Sequence, residues 1–294
     1  MAGKPDAELE LTEELVRNLI AEQFPRYASL ELEWAGDGWD NEMYRLGEDL
    51  AVRLPRRGMG GDLIGIEQQW LPSVAARLPI ATPAPVAIGR ASARFPWSFS
   101  IVPWFSGETA DVSPPAAAEA ERIAAFLLAL HEPAPADAPR NPVRGVPLSA
   151  IVERMNELLS RTAGRDAIDL GPITAIWRNG LAADAAEARC WLHGDLHAQN
   201  FIVDDRRIVA VIDWSDMCAG DPATDFVAIW SLFDDAAVRQ RLLATVATDE
   251  SGQARGAAWA AYFGLLLIDA GEVNSAQHAR QGYSLVARLC EDRG

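Results

Sequence analysis

One stretch of the chain, residues 191–203, carries side chains that could bind a metal ion and accept a proton. Asp195 and Asn200 are five residues apart there, directly before a predicted strand, and Asp213 ends the strand that follows. In a hairpin the start of the first strand lies beside the end of the second, so the pattern predicts Asn200 and Asp213 as neighbours, with Asp195 close by. An amide oxygen and a carboxylate suit Mg²⁺, and Asp195 is then free to accept a proton from an attacking hydroxyl.

Three short motifs follow one another in this part of the chain: HGDLHAQN, then IDW, then GDPATD. Their order is similar to the order of motifs in the catalytic core of kinases, and their amino-acid sequences resemble those of the aminoglycoside phosphotransferase family of small-molecule kinases. Earlier in the chain, VRLPRR resembles the family's phosphate-contacting strand, IEQQWLPSVAARLP its first-lobe helix and WSFSIVPWFSGETA its hinge. The resemblance extends over about residues 30–230.

The resemblance implies a role for each residue of this loop and its surroundings. Asp195 is the catalytic base that orients the acceptor hydroxyl, while Asn200 and Asp213 hold Mg²⁺ between the nucleotide phosphates. His193 braces the loop, and Asp225 hydrogen-bonds with the loop backbone. The implied reaction is transfer of the γ-phosphoryl group of ATP or GTP to a hydroxyl of a small molecule.

An arginine stands where most kinases carry the lysine that contacts the nucleotide phosphates. Arg53 lies within an apolar strand pattern, whereas the only lysine of the chain, Lys4, lies outside the strand region. A guanidinium can contact two phosphate oxygens through its planar fork, and the resemblance pairs Arg53 with Glu67. It also implies candidate adenine contacts in the hinge, namely Ile101, Pro103 and Trp104.

The charge of the chain limits the classes of partner. There are 26 basic and 42 acidic residues, and the formal net charge of −16 disfavours nucleic acid as a partner and suits a cationic acceptor. The resemblance implies an aminoglycoside antibiotic as the leading acceptor class, and macrolide, choline-like and homoserine-like acceptors are alternatives within the family. Acidic residues that are candidates for the acceptor pocket are Asp216, Asp221, Asp269 and Glu272.

Two hypotheses come from other classes of protein. Arg53 in place of lysine is compatible with a nucleotide-binding module that has no catalytic activity. Alternatively, His193, Asp195 and His197 could ligate zinc or manganese together with Asp213, as in a metal-dependent hydrolase. For the kinase hypothesis, the partners are the nucleotide and a small acceptor, and the protein is a monomer or a homodimer.

The elements that must position these residues change in type along the chain. A helix is predicted to begin after Thr12, and a second helix, with Pro72 inside it, is predicted over residues 64–77. Short apolar runs separated by Gly- and Asp-rich turns predict antiparallel strands over residues 30–34, 43–46, 50–54, 86–88 and 98–102.

The pattern is mainly helical from residue 106 onward. Helices are predicted over residues 115–131, 148–163, 172–188 and much of the chain after 222, with a Pro-rich loop at 132–147 and a hairpin at 201–212. We therefore expect a bilobal α+β fold, which the resemblance identifies as protein-kinase-like. Residues 1–105 form the N-terminal nucleotide-binding lobe, and residues 106–294 form a larger catalytic and substrate-binding lobe.

Composition bears on the compartment as well. The 294 residues include only three cysteines, far apart in sequence, so a disulfide framework is not indicated. The N-terminal residues lack the apolar core of a signal peptide, and the longest apolar run is too short to cross a bilayer. A cytoplasmic protein with no membrane partner is expected.

Overall fold

The computed structural model describes residues 5–164, 168–247 and 249–292, without the side chains of residues 272–274. Its first part is an antiparallel sheet with the strand order β1-β2-β3-β5-β4. The strands are β1 (Leu32–Asp37), β2 (Asn41–Leu46), β3 (Leu50–Pro55), β4 (Ala87–Gly89) and β5 (Phe99–Pro103). Each coincides with a predicted strand to within about three residues.

Two helices accompany this sheet, α1 (Glu13–Gln23) and α2 (Gly58–Ala75). Thr12 caps α1 through its hydroxyl, which accepts a hydrogen bond from the Leu15 N–H at 3.2 Å. Helix α2 contains Pro72 as predicted but begins six residues earlier than the predicted residue 64. Its first turn is rich in glycine, which lowers helix propensity, and at Gly60 a Cβ atom would clash with the backbone of Asp40.

The second part of the chain is mainly helical. Its helices are α3 (Glu119–Leu130), α4 (Val152–Thr162), α5 (Leu170–Ala182), α6 (Val227–Leu232), α7 (Ala236–Val246), α8 (Glu250–Asn274) and α9 (Ala276–Glu291). Short strands form two small sheets, one of β6 (Glu108–Thr109), β8 (Phe201–Asp204) and β9 (Arg207–Val211), the other of β7 (Cys190–Leu192) and β10 (Cys218–Gly220).

Two predicted helices are shorter in the structure than in the sequence analysis. Helix α3 begins at residue 119 rather than 115, because the N–H groups of Glu119 and Ala120 donate to the carbonyls three residues back, as in a turn. Helix α5 ends at residue 182 rather than 188, and the chain then runs toward β7. The short strands β6, β7 and β10 lie outside the predicted pattern.

The buried apolar residues form two clusters that differ in size. The smaller cluster lies between the first sheet and α1 and contains Val52, Leu54 and Phe99. The larger cluster fills the helical part and also includes Leu71 and Val74 of α2. The structure confirms the predicted α+β architecture of a sheet lobe followed by a helical lobe, while the division at residue 105 stays a prediction. Among the described residues, no helix combines the length and apolarity required to span a bilayer.

Candidate active site

The loop that follows β7, residues 193–200, lies at the centre of the site. It begins with a sharp turn at Gly194, whose φ of 86° lies in the left-handed region. A Cβ atom at this position would lie 2.5 Å from the carbonyl oxygen of Asp216, so the close approach of the two backbones also requires glycine. The loop ends in a short 3₁₀ turn, Ala198–Asn200, that leads directly into β8.

A fully buried carboxylate holds the start of this loop. Asp225 accepts hydrogen bonds from the N–H groups of His193 and Gly194, both at 2.9 Å, and lies 3.2 Å from Nε2 of His131. The His193 ring is fixed in turn, since its Nε2 lies 2.9 Å from the carbonyl oxygen of Ile212. Asp225 and His193 therefore occupy the bracing positions that the resemblance implies for them.

The Asp195 carboxylate extends from this braced backbone and meets donors from three directions. Its Oδ2 lies 3.3 Å from Nδ2 of Asn200 and 3.3 Å from Nε2 of His197, and its Oδ1 lies 3.4 Å from Nη2 of Arg144. Burial raises the pKa of Asp195, but His197 and Arg144 outweigh it and hold that pKa below its usual range. The carboxylate is therefore ionised and fixed in orientation.

The β8–β9 hairpin brings Asn200 and Asp213 to the same end, as predicted. Phe201 pairs with Val211, and the N–H of Ile212 donates to the carbonyl of Asn200 at 2.9 Å. Asp213 then adopts a left-handed backbone with φ of 59°, a region that few non-glycine residues enter and in which asparagine and aspartate are enriched. Such an outlier is typical of functional sites.

Arg53 connects the sheet lobe with this hairpin. Its Nη1 lies 2.6 Å from both carboxylate oxygens of Glu67 in α2, and its Nη2 lies 3.2 Å from Oδ1 of Asp213. Arg53 is 8% exposed and Glu67 is 1% exposed, so the pair is shielded from water. Burial lowers the pKa of the Arg53 guanidinium, but the carboxylates of Glu67 and Asp213 raise it above its usual value, so Arg53 is charged.

The donor set at this end of the hairpin fits Mg²⁺. Asn200 offers an amide oxygen, and Asp213 offers a carboxylate whose side chain is 50% exposed. Among the described residues, no group of three or more His, Cys, Asp or Glu side chains could hold a metal ion. Mg²⁺ takes few protein ligands and completes its shell with phosphate and water, so two oxygen donors are sufficient.

The three predicted hinge residues lie at the end of β5, where two of them already make backbone hydrogen bonds. The carbonyl oxygen of Ile101 accepts a hydrogen bond from the N–H of Val86 at 2.8 Å, and the N–H of Trp104 donates to the carbonyl of Asp49 at 2.8 Å. The N–H of Trp104 carries a single hydrogen, so this bond occupies it, whereas the carbonyl oxygen of Ile101 keeps a second lone pair for adenine. Ile101 and Pro103, which ends β5, therefore stay predicted candidates for contacts with adenine.

The acidic residues predicted for the acceptor pocket are mostly paired in the structure. Asp269 accepts a hydrogen bond from Nε of Arg161 at 2.9 Å, and Asp221 accepts one from Nε of Arg255 at 2.7 Å. Asp216 is the one close to Asp195, but its Oδ1 accepts a hydrogen bond from Asn141. The side chain of Glu272 lies outside the described residues.

Two residues near Asp195 were missed by the sequence analysis. Arg144 and Asn141 belong to the Pro-rich loop between α3 and α4, where no periodicity marks a site. The Asn141-Pro142 pair indicates a turn, but nothing in the local sequence shows that the turn folds back onto the loop of Asp195.

A cavity of about 480 Å³ adjoins the same loop on another side. It is bounded by residues 110–114 and by side chains of α6 and α9. Oδ2 of Asp111 accepts hydrogen bonds from Gln199 at 3.1 Å and from Gln277 at 2.7 Å. Oδ1 of Asp111 and Oε1 of Gln281 are buried in its wall without a donor.

A sheet lobe and a helical lobe joined by Arg53 and Asp213, with Asp195 beside them, define a kinase-like phosphotransferase. The profile of the phosphotransferase enzyme family (APH) matches residues 31–263. The chain belongs to this family. No curated protein sequence matches the chain significantly.

Several solved structures are similar to the chain over nearly its whole length. The GDP complex of aminoglycoside 2'-phosphotransferase-IIIa is 17% identical, with a TM-score of 0.69 over 97% of this chain and 100% of that one. ADP-bound aminoglycoside phosphotransferase APH(2'')-Ib is 20% identical, with a TM-score of 0.59 over 96% and 99% of the two chains. Macrolide 2'-phosphotransferase MphH from Brachybacterium faecium is 22% identical, with a TM-score of 0.56 over 94% and 98%. The likeness at these identities is one of fold.

Proposed function

We propose that the protein transfers the γ-phosphoryl group of ATP or GTP to a hydroxyl of a small molecule in a reaction that requires Mg²⁺. The observation that carries the proposal is the contact of Arg53 with both Glu67 and Asp213, at 2.6 Å and 3.2 Å. This contact brings the cation of β3 beside Asp213 at the end of the hairpin, where the phosphates of a nucleoside triphosphate would meet both residues. The GDP and ADP complexes of similar structures support a nucleotide as co-substrate.

In the proposed reaction, Asp195 orients the acceptor hydroxyl and accepts its proton. The acceptor O–H bond breaks as the oxygen forms a bond with the γ-phosphorus, and the bond from that phosphorus to the bridging oxygen of the β-phosphate breaks. The nucleoside diphosphate leaves with the electron pair of that bond. Because the transition state is loose, positioning and charge stabilisation contribute more than the strength of the base. The depressed pKa of Asp195 is compatible with this role.

The residues around the phosphates supply the charge stabilisation. Asn200 and Asp213 are proposed to hold Mg²⁺, which when bound neutralises phosphate oxygens and keeps them in line with the acceptor. Arg53 is proposed to bind phosphate oxygens with the N–H groups that Glu67 leaves available. Glu67 fixes the direction of the guanidinium. Pro103 is proposed to lie beside the adenine of the nucleotide.

The cavity beside the loop is proposed to receive part of the acceptor. Its two buried oxygens without a donor, on Asp111 and Gln281, are suited to a ligand group that donates hydrogen bonds. A hydroxyl or an ammonium group is such a donor, and both occur in aminoglycosides and in macrolide sugars. The paired states of Asp216 and Asp269 favour this cavity over the predicted acidic pocket as the site for the acceptor amine.

A panel of acceptors tests the proposal. Kanamycin, gentamicin, erythromycin, choline and homoserine are each incubated with ATP or GTP, with Mg²⁺ or with EDTA, and scored by nucleoside diphosphate release and by phosphate gain in mass spectrometry. The proposal predicts Mg²⁺-dependent phosphorylation of at least one member. Nucleotide binding without diphosphate release under any condition would instead support the non-catalytic module.

The proposal extends to the cellular compartment, the biological effect and the oligomeric state of the protein. We propose that the protein acts in the cytoplasm, where ATP and GTP are supplied, and that phosphorylation of an aminoglycoside or a macrolide would give antibiotic resistance. A monomer and a homodimer are both compatible with the proposal.

A further inference from the structure

The Pro-rich loop between α3 and α4 is bound tightly to the strands beside the site. The carbonyl of Pro139 accepts a hydrogen bond from the N–H of Ala219 at 2.9 Å, and the carbonyl of Gly145 accepts one from the N–H of Asp221 at 2.9 Å. Gly145 has φ of 63°, and a Cβ atom there would lie 2.9 Å from Cα of Gly220. The loop is therefore fixed at both ends against β10, and Gly145 is needed for that approach.

The turn between these two anchors aims one side chain at Asp195. Oδ1 of Asn141 accepts hydrogen bonds from the N–H groups of Val143 and Arg144, at 2.9 Å and 3.1 Å, which sets the direction of the turn. Arg144 then extends over the ring of Phe263 in α8, with its guanidinium carbon 4.7 Å from the ring centroid. Its side chain is 11% exposed, so the guanidinium is held by its contacts rather than by water.

This guanidinium lies between two carboxylates. Its Nη2 lies 3.4 Å from Oδ1 of Asp195, and its Nε lies 3.7 Å from Oδ2 of Asp216. Asn141 donates to the other oxygen of Asp216 at 2.7 Å. Two carboxylates this close repel each other when both are ionised, and a cation between them removes that repulsion. The loop therefore hydrogen-bonds one oxygen of Asp216, and the other lies within ion-pair distance of Arg144.

We infer that Arg144 is a positioning residue for phosphoryl transfer, which fixes the Asp195 carboxylate toward the acceptor hydroxyl by holding it together with Asp216. This inference rests on the proposed function, because Arg144 can position Asp195 for transfer only if Asp195 contacts an acceptor hydroxyl.

A double-mutant cycle tests whether Arg144 acts through Asp195. The wild type, Arg144→Met, Asp195→Asn and the double variant are compared in Mg²⁺-dependent nucleoside diphosphate release, with the best acceptor of the panel and with water as acceptor. Methionine keeps the packing on Phe263 and removes the charge. We expect Arg144→Met to lower kcat by about 10- to 100-fold, with the nucleotide Kd within about twofold of wild type. In the Asp195→Asn background the same substitution is expected to change kcat by less than about twofold.

Two further variants control for folding. Arg144→Lys keeps the charge, but a single ammonium cannot reach both carboxylates as the guanidinium fork does, so kcat is expected between those of wild type and Arg144→Met. Arg140→Met removes an exposed arginine of the same loop and is expected to behave as wild type.

The outcomes separate this inference from the proposed function. A wild-type kcat in Arg144→Met would overturn the inference. It would also be overturned if the fold-losses in kcat of the two single variants multiplied in the double variant. An Arg144→Lys variant with a kcat no higher than that of Arg144→Met would overturn it as well. In these cases the proposed function stands, because the wild type is active. A wild type with no Mg²⁺-dependent release from ATP or GTP contradicts the proposed function itself.

Discussion

Replacing Glu67 with glutamine removes one charge of a buried ion pair and leaves the size of the side chain unchanged. Both carboxylate oxygens lie 2.6 Å from Nη1 of Arg53, and Glu67 is 1% exposed. Loss of one partner from a buried pair typically costs about 3–5 kcal/mol. Glutamine keeps one acceptor oxygen, and Asp213 at 3.2 Å still offsets part of the Arg53 charge. We therefore expect a loss of about 2–3 kcal/mol in the free energy of unfolding.

Thermal unfolding of the nucleotide-free protein measures this loss. For a chain of this size, 1 kcal/mol corresponds to about 2–4 °C, so Tm should fall by roughly 4–12 °C. Glu13→Gln is a matched control, because Glu13 contacts Arg17 at 2.7 Å while the two side chains are 56% and 47% exposed. An exposed pair contributes less than about 1 kcal/mol. Equal losses in the two variants would refute the reasoning. We also expect Glu67→Gln to raise KM for the nucleotide, since Arg53 loses its orientation.

Three further substitutions test separate parts of the site. Asp213→Asn should abolish Mg²⁺-dependent nucleotide binding in calorimetry. The control variant Asp205→Asn, at another aspartate with a left-handed backbone, should bind as wild type does. Unchanged binding in Asp213→Asn would remove Asp213 from the metal site. Asp111→Asn should raise KM for an amine- or hydroxyl-bearing acceptor about tenfold without changing KM for the nucleotide. An unchanged acceptor KM would mean that the acceptor binds outside the cavity of Asp111. Asp225→Asn replaces an acceptor of two 2.9 Å backbone hydrogen bonds by an amide, so kcat and Tm should both fall; wild-type values of both would contradict its bracing role.

The hairpin part of the site is predictable because it depends on local rules. Strand pairing alone brings Asn200 next to Ile212, and Asp213 follows at once. The same regularity makes the strands of the first sheet predictable, because alternating apolar residues and glycine-rich turns define them. The fold class follows from these patterns together with the resemblance.

The rest of the site depends on contacts between segments that are distant in sequence. Arg144 reaches Asp195 from 51 positions earlier in the chain, through a loop with no periodic pattern. The hinge illustrates the same limit, since the carbonyl of Ile101 is used by Val86 and the amide of Trp104 by Asp49. Which backbone groups are already bonded depends on the register of neighbouring strands, and this information is not contained in the hinge residues themselves.

The proton-accepting role of Asp195 is the central claim, and one comparison tests it most directly. Wild type and Asp195→Asn are given Mg²⁺, radiolabelled γ-phosphate ATP or GTP and the best acceptor of the panel, and transfer of label is measured beside the nucleotide Kd. The account predicts that Asp195→Asn loses nearly all transfer while its nucleotide Kd stays within about twofold of wild type. Transfer at the wild-type rate by Asp195→Asn would contradict the account.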